Sequence, residues 1–235
     1  WVAKPVIEGV VNLADGTAAV ASGGLISVLG RNMSRMTIAT NELPLPTTLG
    51  EACLMAGDVR VPLLMISPGQ INAQMPFEVQ GAVSLVLRTA AGASDPFQVT
   101  VAASAPAVFQ TAEAGPEKGL AALYRAANNQ PVTLANPVHP RDYLVIYVTG
   151  LGRTSPPVAS GYPAPADPLA QALIPPSVKL GGVALPVLYA GLVPGLVGVY
   201  QINVYVPEEA PRGMEIPLLI SRPDGDLSFS VRVVK

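Results

Sequence analysis

One cysteine, one tryptophan and one histidine are all that 235 residues hold of those types. With Cys53 alone no disulfide closes within the chain, and zinc binding through histidine or cysteine fails on ligand count. The neighbours of that residue, Ala52-Cys53-Leu54-Met55, predict a thiol packed as a small hydrophobe on a buried strand. Charge is scarce too. Only 13% of residues are charged and the net charge is -2, with no basic cluster, so nucleic-acid binding has no electrostatic support. Lysine is especially sparse, and lysine is a usual guard of exposed sheet edges. No charged residue lies between Lys179 and Glu208, but Pro186, Gly191, Pro194, Gly195 and Gly198 interrupt that stretch. A lipid-exposed helix would have to satisfy every backbone group those breaks release, so the stretch reads as strands and a transmembrane span is rejected.

What is abundant is small and apolar. Half the chain is hydrophobic, mostly Val, Ala, Leu and Ile, and the mean hydropathy is +0.42. The 25 prolines and 22 glycines favour many short strands over long helices. With no membrane span to absorb it, the apolar surplus predicts surfaces covered by partners or by copies of the chain.

Gln-Ile-Asn occurs twice, each time with proline four residues past the asparagine: Gln70, Asn72 and Pro76, then Gln201, Asn203 and Pro207. Upstream, Gly57-Asp58-Val59-Arg60-Val61-Pro62 matches Gly181-Gly182-Val183-Ala184-Leu185-Pro186. Downstream, Phe97-Gln98-Val99-Thr100-Val101 matches Phe229-Ser230-Val231-Arg232-Val233. The spacing predicts one unit used twice. Further strands are expected at 52–55, 59–66 and 83–88. In the second unit Leu144–Thr149 answers Leu25–Gly30 and Ser177–Leu180 answers Ala52–Met55. Gly57-Asp58 and Asp224-Gly225 mark hairpins, and an insertion at 191–198 precedes the second Gln-Ile-Asn. The expected fold is all-β: two tandem Ig-like antiparallel β-sandwich domains from an internal repeat, 1–104 and 105–235, divided at the small-residue stretch Ala102–Ala107.

Chemistry is hard to find. His139 lies between prolines and no Gly-x-Ser-x-Gly elbow accompanies it, which makes it a surface-turn residue. Pro223-Asp224-Gly225-Asp226 lacks the further oxygen ligands a calcium loop needs and reads as a turn. Glu208-Glu209 reads as a solvated loop, and Gly150-Leu151-Gly152 as the end of a strand. No cofactor is expected. In the Gln-Ile-Asn motif, alternation puts the two amides on one strand face and Ile71 on the other. Amides there serve either the architecture or a sugar or peptide ligand; recurrence in both units favours architecture. Tyr189 and Tyr200 read as core or rim residues.

The chain resembles the acidobacterial "Solibacter-type" uncharacterised C-terminal domain, a tandem bacterial Ig-like module of secreted proteins. The resemblance is carried by Gly9-Val10-Val11-Asn12, Leu43-Pro44-Leu45-Pro46-Thr47-Thr48-Leu49-Gly50, Ser67-Pro68-Gly69-Gln70-Ile71-Asn72, Asn136-Pro137, Tyr147-Val148-Thr149-Gly150-Leu151-Gly152, and Tyr189–Gly195 leading into Tyr200–Asn203. Arg141 departs from it, standing where that family tends to have glycine, and Cys53 stands where it tends to have valine. The resemblance implies the fold and an extracellular or cell-surface location, and it transfers no catalytic residue. Trp1 in place of an initiator methionine points to a chain cleaved after a targeting segment or cut from a longer protein.

These readings converge on a non-enzymatic extracellular structural or adhesive protein that associates with itself or with other surface proteins. Val2, Val6, Ile7, Val10 and Val11 form a candidate strand for addition to a neighbouring subunit's sheet, which would build a filament; they serve equally as the first strand of their own domain. The alternative is a carbohydrate- or cell-wall-binding module of a larger secreted protein, which requires aromatic side chains gathered on one face.

Overall fold

The computed structural model describes residues 3–111 and 119–235, and all its regular structure is β. The first half contributes β1 (Val6–Asn12), β2 (Val20–Ala21), β3 (Leu25–Arg31), β4 (Ile38–Ala39), β5 (Cys53–Ala56), β6 (Val59–Arg60), β7 (Leu63–Ile66), β8 (Gln70–Gln74), β9 (Gly81–Thr89), β10 (Gly92–Ala93) and β11 (Phe97–Ala102). The second contributes β12 (Ala107–Val108), β13 (Gln110–Thr111), β14 (Leu120–Ala121), β15 (Leu123–Arg125), β16 (Gln130–Pro131), β17 (Tyr143–Thr149), β18 (Thr154–Ser155), β19 (Gln171–Ala172), β20 (Ser177–Leu180), β21 (Val183–Leu185), β22 (Val187–Leu192), β23 (Tyr200–Tyr205), β24 (Gly213–Arg222) and β25 (Gly225–Val233).

The sheets are antiparallel apart from a short parallel contact of β2 with β11. In the first half, the sheets β1-β3-β8-β7-β4 and β2-β11-β9-β5-β6 contribute to one core that includes Ile26, Val28, Leu54, Ile71 and Leu85. In the second, the sheets β16-β15-β17-β23-β22-β19-β18 and β21-β20-β24-β25 contribute to one core that includes Ile146, Val178, Tyr200, Ile202 and Leu218. The two buried clusters share no residue. Part of the apolar content fills these cores, while Met36, Leu134, Leu173, Leu188 and Met214 among others remain exposed.

The duplication extends to the register. Ile71 pairs with Val28 as Ile202 pairs with Ile146. The strand before each Gln-Ile-Asn carries a bulge at the same place, between Leu63 and Met65 and between Val187 and Tyr189. Phe97 faces Leu85 and Phe229 faces Leu218, while Val101 and Val233 each make a parallel contact, with Val20 and Val138. Two expected correspondences shift by one residue. Leu25 and Tyr143 occupy equivalent places opposite Gln74 and Tyr205, so Leu144 answers Ile26. Likewise Cys53–Ala56, not Ala52–Met55, answers Ser177–Leu180. A one-residue slip would turn every core side chain outward, and burial of Ile26 with Leu144 and of Leu54 with Val178 fixes the true frame.

Other local expectations are corrected too. The strand expected over 59–66 is split at Val61-Pro62, where proline cannot donate to a ladder. Cys53 is on its strand but only half-buried, facing outward with its Sγ 3.7 Å from Met55 Sδ, since Leu54 takes the inward position. Arg141 has φ 70°, the left-handed region that favours glycine. Of the sheet edges, β2, β4, β6, β16 and β18 are two residues long, which limits edge pairing by itself, whereas β1 and β25 are long edges of seven and nine residues.

Buried hydrogen bonds join the halves. Leu25 N donates to Thr149 Oγ1 (2.9 Å), whose hydroxyl donates to Gly198 O within the expected insertion (2.7 Å). Gln74, 1% exposed, accepts from Gly161 N (2.6 Å) and donates to Gly23 O. Ser104, in the small-residue stretch between the halves, is buried; it donates to Asp224 and accepts from Arg222 Nε.

Near this junction Tyr200 is fully buried and donates to Gly152 O. Burial pushes its pKa far above the ordinary phenolic value of 10, with Arg222 partly opposing, and burial raises Tyr189 as well. A phenol that stays protonated in the fold but ionises in the unfolded chain stabilises fully below pH 10, and that contribution is lost as pH climbs past it. Burial lowers the pKa of Arg222 despite Asp224 and Tyr200, which works in the opposite sense. Urea unfolding from about pH 9 to 11 is expected to show stability falling above pH 10, by at most about 1.4 kcal/mol per pH unit for one such group. Tyr200→Phe is expected to flatten the fall; an equal slope in both proteins would refute this assignment.

Candidate functional site

Cross-strand partners share a face of a sheet, and alternate residues along each strand return to it. On β17 and β23 the inward set is Leu144, Ile146, Val148, Tyr200, Ile202 and Val204, all fully buried. The outward set is therefore Tyr143, Val145 and Tyr147 on one strand and Gln201, Asn203 and Tyr205 on the other. Pairing assembles these into rows. Tyr143 lies opposite Tyr205 and Tyr147 opposite Gln201, while Tyr124, Val145, Asn203 and Tyr189 make one row across four strands. Five of the seven tyrosines thus share the outer face of one sheet.

Their contacts fix the shape of this face. Tyr124 and Tyr147 meet edge to face at 5.6 Å, and Tyr143 and Tyr205 are tilted together at 5.1 Å. Tyr189 lies over Gly191, donating to Leu192 O at 2.8 Å; a Cβ at 191 would come within 2.6 Å of that hydroxyl. Tyr143 is 53% exposed and the other four are partly covered. The hydroxyls of Tyr124, Tyr143, Tyr147 and Tyr205 have no hydrogen-bond partner among the described residues. The two arginines beside the face are neutralised: Arg125 pairs with Asp142 at 3.1 Å and Arg141 with Glu208. The surface is aromatic, hydroxyl-rich and free of net charge.

The two Gln-Ile-Asn copies behave differently here. In the first, Asn72 Oδ1 accepts from Ser27 Oγ (2.9 Å) and Gln70 Nε2 (2.7 Å), and Gln70 also reaches Ser27 (3.3 Å). The amides are consumed internally, as architecture requires. In the second, Val145 takes the place of Ser27 and offers no donor. Asn203 Oδ1 is buried without a partner, and Gln201 has none among the described residues. Pro76 and Pro207 do the same work in both copies, each carbonyl accepting from the residue three ahead, Val79 or Ala210.

Arg125 gathers the loop around His139: Nε donates to Asp142, Nη1 to Asn136 Oδ1 (2.9 Å) and Nη2 to Pro137 O (2.6 Å). The same Nη2 lies 3.0 Å from His139 Nδ1, which must accept, so the ring carries its proton on Nε2. Asp224 closes the hairpin between β24 and β25, and no group of three or more His, Cys, Asp or Glu able to hold a metal occurs among the described residues. Val6–Asn12 is an edge strand of its own sheet, paired with β3, with Ile7 and Val10 in the core and Val6 and Val11 partly covered; its place as a first strand, the second of the two roles open to it, is filled within the chain. Val2 lies outside the described residues. A groove of about 670 Å³ runs along the junction past Phe77, Glu78, Arg153 and Leu173, and a cleft of about 370 Å³ sits beside Met33, Arg35 and Glu51. No helix long and apolar enough to cross a membrane occurs among the described residues.

No protein-family model matches the chain, and no curated protein matches it. Among solved structures it is similar to SGBP-B from a xyloglucan utilization locus of Bacteroides uniformis, at 12% identity and TM-score 0.31, spanning 98% of this chain and 49% of that one. It is also similar to a gamma-CGTase from Alkalophilic bacillus clarkii, at 12% identity and TM-score 0.31, spanning 99% of this chain and 27% of that one. Likeness at that level decides neither fold nor activity.

The tyrosine face was legible in part. Tyr143, Val145, Tyr147 and Gln201, Asn203, Tyr205 each show a period of two, yet sequence reasoning weighed only Tyr189 and Tyr200. Tyr200 is the one that points into the core.

Proposed function

We propose that the chain is a non-enzymatic binding module of a secreted protein, built from two tandem Ig-like sandwiches, 1–104 and 105–235, whose second unit holds a neutral carbohydrate polymer on its tyrosine face. The observation that carries this reading is the gathering of five tyrosines, Tyr143 the most exposed, on the outer face of one sheet around two amides without internal partners, the Oδ1 of Asn203 lying beneath that face. Flat rings accept the apolar C–H faces of sugar rings, while phenols and amides supply the donors and acceptors that sugar hydroxyls need. Tyr143 to Tyr147 spans four residues of strand, about 13 Å, room for more than one ring. The resemblance to a domain of secreted proteins agrees with an extracellular setting. Self-association through Val6–Asn12 has less support, because that strand completes its own sheet.

Calorimetric titration with cellohexaose, laminarihexaose and chitohexaose tests the proposal, with polygalacturonate as an anionic control. Saturable binding of a neutral oligomer is expected, and Tyr143→Ala with Tyr205→Ala should weaken it about 10- to 100-fold. Absence of binding to all three neutral oligomers, or unchanged affinity in the double variant, would overturn it.

A further inference from the structure

We propose that the second Gln-Ile-Asn copy has passed from architecture to recognition: Gln201 and Asn203 read a vicinal diol on the bound sugar, and Val145 leaves them without an internal partner. This rests on the carbohydrate reading of the tyrosine face and adds the ligand's chemistry to it.

The evidence is the comparison the molecule makes with itself. Both copies sit at the same register on the same strand of the repeated unit, so a purely structural motif would close the same hydrogen bonds twice. The first does, through Ser27. At the equivalent position the second has Val145, flanked in its row by Tyr124 and Asn203. An unpartnered buried carbonyl oxygen is costly, and a serine at 145 would remove that cost as Ser27 does for Asn72. The orphan amide is instead kept at the centre of the aromatic face, between Val145 and Tyr189, with Gln201 two residues away on the same side.

A carboxamide offers both donor and acceptor in one plane, which complements two adjacent sugar hydroxyls, one accepting and one donating. Neutral amides suit an uncharged polymer, and the flanking arginines are already paired. The face is open along the strands, so it meets internal rings of a chain. Internal rings of a β-1,4-glucan present free adjacent hydroxyls at carbons 2 and 3. Those of a β-1,3-glucan do not, because the hydroxyl at carbon 3 is spent on the linkage.

The test uses the full chain and two probes of equal length, cellohexaose and laminarihexaose. Wild type is expected to prefer cellohexaose about tenfold, the worth of one well-made hydrogen bond to an otherwise unpaired group. Asn203→Ala and Gln201→Ala should each shrink that preference while leaving laminarihexaose affinity little changed. Val145→Ser, which gives Asn203 an internal donor without touching either amide, should shrink it too, and it serves as the independent arm if an alanine variant misfolds by circular dichroism. The tyrosine variants, in contrast, should weaken both probes together. If both glucans bind and the preference survives all three substitutions, or if laminarihexaose is preferred, the diol assignment is wrong while the tyrosine platform stands. If neither binds, the diol assignment falls, and the tyrosine platform falls with it when chitohexaose also fails to bind.

Discussion

Gly150→Ala is expected to lower the unfolding free energy by about 3–5 kcal/mol, an unusually large loss for one added methyl group. Two independent costs combine. Gly150 has φ +77°, a left-handed conformation that costs a residue with a side chain about 1–2 kcal/mol. The new Cβ would also lie 2.2 Å from the carbonyl oxygen of Ala105, in backbone that is itself fixed by Ala105 N donating to Gly150 O at 3.0 Å. Nothing flexible is there to give way. Ala21 of the first half is the next neighbour at 3.6 Å, so the strain falls where the two halves meet. Gly182 supplies the control, with φ +89° and open space around it; Gly182→Ala should lose only the conformational part, about 1–2 kcal/mol. Urea melts of the two variants beside wild type decide the matter. Equal losses at both sites would mean that the junction is not packed as described.

The second large effect is expected in the paired cores. Ile71 and Ile202 are fully buried at equivalent positions, and truncating either to alanine should cost about 2–5 kcal/mol. The informative part is the shape of the unfolding curve. Thr149, Gln74 and Ser104 place their hydrogen bonds across the halves in buried surroundings, so opening one half strips partners from the other. Ile71→Ala and Ile202→Ala should therefore each shift one shared transition, seen alike by calorimetry and by circular dichroism. Two separated transitions, each moved by only one of the substitutions, would show that the junction couples the halves weakly.

Particular residues show why the sequence could be read so far and no further. Gln-Ile-Asn, Gly57–Pro62 and Phe97–Val101 with their counterparts located the repeat because strand starts, turns and closing strands leave local marks. Between those anchors the sequence offered only greasy alternation, and there the correspondence slipped by one, at Leu25 against Leu144 and at Ala52 against Ser177. Burial of Ile26 and Leu144 corrected it. Pro62 announced a break that apolar character concealed. Cys53 is only partly covered where a buried thiol is expected, because a short apolar run does not say which of its residues face inward.

By itself the amino-acid order determined an all-β chain, the duplication, and which side chains alternate on each strand, since these follow from periods of two and from turn residues a few positions apart. Only the tertiary structure decided that Val145 stands where Ser27 stood, that Asn203 is left without a donor, and that five tyrosines share one face. Those facts depend on which strands lie side by side and in what register. Residues far apart in the chain become neighbours through that pairing alone, and no local pattern carries it.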